Sequence, residues 1–173
     1  MRLVPTLLLL AALPTVAWSQ NITREYDRFK DRSSNTIKFE LSSIEEPGRR
    51  GVTFDLGNIV VGNRAVNKND SFTIGTIVSY DMRYNRCAGT GVDLLIDGKP
   101  TSMTTDMPPF FRNEFAVISF SKKLTYTEAV AFSKAKLVEI RTCSTVYTLG
   151  DDQMLHLLDF MDSIQQSPPT TAD

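Results

Sequence analysis

Ile37, Phe39 and Leu41 alternate without a break with Thr36, Lys38 and Glu40. A period of two puts one set of side chains against a core and the other in water, the pattern of an antiparallel strand with one wet face. The same texture recurs along most of the chain. Val52 to Val61 is a second strand region, with a bulge or break expected at Gly57-Asn58. Ser71 to Arg86 is a long strand candidate whose alternation slips at Gly75, where a bulge is expected. Asp97-Gly98 separates Val92–Ile96 from Lys99–Met103, and Asp-Gly between strand-like runs predicts a type I′ hairpin. Pro100 confines the return strand to an edge, because proline cannot donate to a ladder. Phe115 to Phe120 is a further strand.

Two helices interrupt this pattern. Thr125-Tyr126-Thr127-Glu128 matches a capping box and predicts a helix from Tyr126 to about Lys134. Leu137–Arg141 and Ser144–Leu149 return to strand. Gly150-Asp151-Asp152 then opens a last helix, with carboxylates at the positive end of its dipole. Met154, Leu157, Leu158, Met161 and Ile164 form one apolar stripe along it. Many strands, a helix, two strands and a helix predict an α+β, mainly β fold. Its expected form is an antiparallel sheet or sandwich with two helices, the C-terminal one packed on the sheet.

The N-terminus has a different character. Arg2, the apolar run Leu3–Leu13 and Ala17-Trp18-Ser19 have the three-part layout of a secretory signal peptide spanning residues 1–19, with the cut before Gln20. The apolar run is shorter than the roughly 20 residues a membrane span needs. No second run approaches that length, so no membrane anchor is expected. The expected location is secreted or periplasmic. Residues 20–35 form a polar segment in which Tyr26 and Phe29 are expected to pin the chain at helical spacing. Residues 36–165 read as a single globular domain and residues 166–173 as a disordered tail. Losing Arg2 with the leader leaves 18 basic against 20 acidic residues. Such a balance offers no footprint for nucleic acid. An oxidising compartment favours pairing of the two cysteines, Cys87 and Cys143. The loop closed would be roughly 55 residues, worth about 4 kcal/mol in the chain-entropy description.

Residues able to carry chemistry are sparse. His156 is the only histidine, so no histidine-rich metal site can form, and no Gly-x-Ser-x-Gly elbow is present. No catalytic residue, metal or cofactor is assigned. Glu40, Asp55, Asp81 and Asp93 are expected on wet strand faces. Asn21-Ile22-Thr23 and Asn69-Asp70-Ser71 fit the N-glycosylation pattern, making Asn21 and Asn69 candidate acceptors. Asp106–Arg112 puts Phe110, Phe111 and Arg112 after two prolines in an expected loop. Their types match interface hot spots, and the competing expectation is that both rings fold back onto the core.

Tyr26-Asp27-Arg28-Phe29-Lys30-Asp31, the run of strands, and the stretch from Leu149 to Ile164 together resemble exported bacterial proteins of unassigned function. The resemblance implies a bacterial source and carries over no catalytic residue. The leading expectation is an exported, non-catalytic binding or structural domain with a protein, glycan or small-molecule partner. The alternatives are an exported hydrolase of glycan or peptide working through carboxylates, and a carrier of a small apolar ligand.

Overall fold

The alternating strands assemble into two antiparallel sheets. The computed structural model describes residues 21–41, 49–81, 91–105, 110–112, 115–142 and 145–166. The predicted leader, both cysteines and the tail from Ser167 onward lie outside the described residues. So do the side chains of Asn21, Asp81, Phe111 and Arg112. The larger sheet runs β1 (Asn21–Asp27), β2 (Arg32–Leu41), β3 (Arg49–Val61), β4 (Ser71–Asp81), β9 (Phe115–Thr125) and β7 (Thr104–Thr105), with β8 (Phe110–Arg112) also on β9. The smaller sheet is β11 (Thr145–Leu149), β10 (Val138–Thr142), β5 (Val92–Ile96) and β6 (Lys99–Ser102). Helices α1 (Tyr126–Ser133) and α2 (Asp151–Ile164) complete the fold. The architecture is α+β, mainly β, with α2 packed on the sheet.

Strict alternation decides which face is buried. Ile37, Phe39, Val52, Phe54, Phe72 and Ile74 all point inward and are at most 2% exposed. Against them pack Phe132 from α1 and Leu157, Phe160 and Ile164 from α2. The smaller sheet adds Leu94, Val138 and Ile140 to the same core. Phe54 is its hub. Its ring stands 6.4 Å from that of Phe39 and 5.8 Å from that of Phe132, which ties the sheet to α1. Phe160 also belongs to the buried stripe of α2, although the i, i+3, i+4 pattern had omitted it.

Local signals placed several elements correctly. Asp97 and Gly98 adopt φ of +50° and +74°, the positive pair that a type I′ turn demands. The Asp97 carboxylate then accepts from the Lys136 and Leu137 amides at 2.8 and 3.0 Å, fastening this hairpin to the segment after α1. Pro100 lies on β6, an edge strand as expected. At the start of α1 the Glu128 amide donates to Thr125 Oγ1 at 3.2 Å, and Glu128 Oε2 accepts from the Thr125 amide at 2.7 Å. These bonds hold the exposed Glu128 carboxyl below its usual range. Thr125→Ala should cost about 1 kcal/mol in chemical denaturation. A loss of stability as pH falls through the carboxylate range should shrink with it, since a depressed folded pKa stabilises only above the unfolded one.

Three expectations are corrected. The 20–35 segment is not pinned at helical spacing. Asn21–Asp27 is a strand that pairs with Arg32–Lys38 throughout its length. No bulge occurs at Gly57-Asn58, because Gly57 pairs in register with both Thr36 and Thr73, and the irregularity falls between Arg49 and Gly51. Asn58 breaks the apolar pattern because it is a polar residue on the buried face. Nor does β4 bulge at Gly75. Thr76 occupies an inward position, fully buried, with its hydroxyl 3.8 Å from Met103 Sδ. A threonine inside and Ile77 outside look like a slipped register in sequence alone.

Candidate functional site

The tip of the β1–β2 hairpin is a braced turn that carries an exposed aromatic ring. Asp27 and Arg32 close the ladder, leaving a four-residue loop, Arg28 to Asp31. The Lys30 amide donates to the Asp27 carbonyl at 3.2 Å, making the tight turn. The Asp27 carboxylate accepts from the Phe29 and Lys30 amides at 3.0 and 3.3 Å, the short-range bonding that makes aspartate a turn initiator. Asp31 carries the chain through φ of +48°, a left-handed conformation that aspartate tolerates better than most residues. Its carboxylate accepts from the Tyr26 hydroxyl at 2.8 Å, a bond that favours the neutral phenol and pushes its pKa up. Just past β3, the Gly62 amide donates to the Asp31 carbonyl at 2.8 Å, and the Gly62 carbonyl accepts from Ser33 Oγ at 2.7 Å.

Tyr26, Asp27 and Asp31 therefore all serve the turn. Phe29 does not. Its side chain is 88% exposed, with the Arg28 guanidinium 5.1 Å from the ring centroid as its only ring contact among the described residues. Ile59 and Val61, on the outer face of β3 just before Gly62, are 66% and 67% exposed. An aromatic and two β-branched residues thus stand uncovered at one end of the larger sheet. Sequence reasoning assigned Phe29 to a pinning role and passed over Ile59 and Val61. The signal that would have found the site was Asp27 followed by Asp31, which marks a turn.

The residues singled out from sequence are dispersed. Phe110 lies on β8 and not in a loop, opposite Val117, and is 63% exposed. Among the described residues it does not fold back onto the core, because its strand extends the sheet by pairing with β9. Val117 is eight residues along β9 from Thr125, the partner of Ser71 near the hairpin end. That puts Phe110 roughly 26 Å from the end where Phe29 stands. Asn69 is exposed in the turn between β3 and β4, beside Asp70, whose carboxylate takes a two-pronged contact from Arg64 at 2.6 and 2.8 Å. This contact holds the Asp70 carboxyl below its usual range. Asn21 begins β1.

The carboxylates divide between the two sheets. Asp93 sits on the smaller sheet, 2.7 Å from Arg141. Glu40 and Asp55 share the open face of the larger sheet on either side of Lys38, which lies opposite Asp55 and 3.9 Å from Glu40. Asp55 is not on a freely wet face as expected. Its carboxylate lies down over Gly75, where any Cβ would overlap it. Burial raises its pKa, and Lys38 and the Gly75 amide oppose that rise. An acid with a raised folded pKa stabilises only at low pH, and that contribution is lost as pH rises through the folded value. Asp55→Asn should therefore raise the melting temperature near about pH 7 and lose that advantage near about pH 3, where both forms are neutral.

Among the described residues no group of three or more His, Cys, Asp or Glu side chains could hold a metal ion. No described helix is long and apolar enough to cross a membrane. No family model, no curated protein and no solved structure matches the chain.

Proposed function

We propose that the chain is an exported, non-catalytic domain that binds a protein partner through the β1–β2 hairpin tip. One observation carries this reading: a turn braced by Tyr26, Asp27 and Asp31 presents Phe29 at 88% exposure. Phe29 contributes no burial to the fold, so its placement gains meaning from something outside it. Holding the loop in its bound shape before contact reduces the ordering cost of association. Ile59 and Val61 extend the apolar contact, and Arg28 and Lys30 rim it. The fitting partner has an apolar pocket for one aromatic ring with acidic groups around its mouth.

A photo-crosslinking residue at position 29 tests this in the exported compartment of the producing cell. It should give a discrete adduct that the same residue at Leu155, exposed on α2, does not. Equal labelling from both positions would refute the tip as a specific surface.

Export rests on residues 1–19, and a secreted or periplasmic destination follows from it. The resemblance to exported bacterial proteins points the same way. Because the only tryptophan is Trp18, the processed protein should show tyrosine emission alone. Tryptophan emission from purified exported material would place the cut elsewhere. A Cys87–Cys143 disulfide is proposed on the oxidising compartment alone. Thiol titration of the denatured, unreduced protein should find no free thiol.

A further inference from the structure

Arg24, Asn35 and Asn58 stand in one row across β1, β2 and β3, directly opposite one another in register and on the core side of the sheet. Arg24 Nε donates to Asn35 Oδ1 at 3.2 Å, and Asn35 Nδ2 donates to Asn58 Oδ1 at 3.0 Å. The direction of this chain is forced. A guanidinium can only donate, so Asn35 must turn its oxygen toward Arg24 and its amide nitrogen toward Asn58. Asn58 must then present its oxygen to Asn35, which leaves its own Nδ2 at the inner end. That nitrogen is fully buried and has no acceptor among the described residues. Asn35 and Asn58 are each 5% exposed, so bulk water does not serve them. A buried donor left unmet is destabilising, and a chain of bonds started by a cation polarises its last donor further.

We infer that the inner end of this row is a binding site for one neutral acceptor oxygen. The inference is independent of the hairpin tip. Magnitudes select a neutral oxygen over a carboxylate. Arg24 is two strand spacings away, roughly 9.5 Å. At that distance and through a partly wet sheet edge its attraction for an anion is weak. That attraction does not offset the cost of burying a carboxylate. The oxygen can belong to a single ordered water or to a hydroxyl or carbonyl of a small neutral molecule, because both accept in the same way.

Side-chain amide NMR on the nitrogen-labelled mature protein reads this site directly. The Asn58 NH2 protons are identified through bonds from their own backbone. A long-lived water would give them a cross-peak to the water frequency. A neutral ligand oxygen would give them a downfield shift that saturates when N-methylacetamide or glycerol is added. Either result supports the site and names its occupant. Sharp, unshifted protons with no water cross-peak and no response to either probe would overturn it. A saturating shift with acetate but not with the neutral probes would overturn the choice of a neutral oxygen.

Discussion

Phe54→Ala is expected to destabilise the protein by about 3–5 kcal/mol, the largest loss foreseen for a single substitution. Phe54 is fully buried at the centre of β3 and touches Phe39 on one side and Phe132 on the other. Truncation removes the ring's transfer energy and leaves a cavity whose walls belong to both a sheet and a helix. Such walls collapse poorly, because each is held by its own backbone bonds. For a chain of this size the melting temperature should fall by about 6–20 °C. Phe110→Ala supplies the contrast. It removes a ring of the same size at 63% exposure, so its effect should stay within about 0.5 kcal/mol. Equal losses from the two would mean that Phe110 belongs to the core.

Phe29→Ala should have the opposite profile. The side chain buries almost nothing, so the melting temperature should stay within about one degree of the parent. Affinity for the partner captured at position 29 should fall by roughly 30-fold or more, the loss of about 2 kcal/mol that marks a central aromatic anchor. Ile59→Ser and Val61→Ser should give smaller losses of the same kind, since they flank the ring. A fall in stability comparable to that of Phe54→Ala would reassign Phe29 to the fold and remove its role in recognition.

The turn and the cap that sequence placed share one property: their geometry is set within two to four residues. Asp97-Gly98 needs only its own positive φ angles. The Thr125–Glu128 box needs only two side chains and two amides. The misread parts depend on partners distant in sequence. Tyr26 and Phe29 three residues apart suit a helix until β2 pairs with β1 along its whole length. Thr76 looks like an error of register because a buried hydroxyl is legible only once Met103 is beside it. The Ser121-Lys122-Lys123 stretch hides the second half of β9, which is strand because it pairs with Gly75, Ile74 and Thr73 of β4. The candidate site was hidden for a related reason. Exposure of Phe29 or Phe110 depends on what does not cover them, and no local pattern reports that.

The rigidity of the free hairpin tip tests the proposed role most directly. Backbone nitrogen relaxation on the isolated protein yields order parameters for the amides of Arg28, Phe29, Lys30 and Asp31. The bonds from Asp27, Tyr26 and Gly62 predict values of about 0.85, equal to those of β2 and β3. Values below about 0.6 would describe a flexible loop that presents no fixed surface, and would contradict a preorganised binding tip.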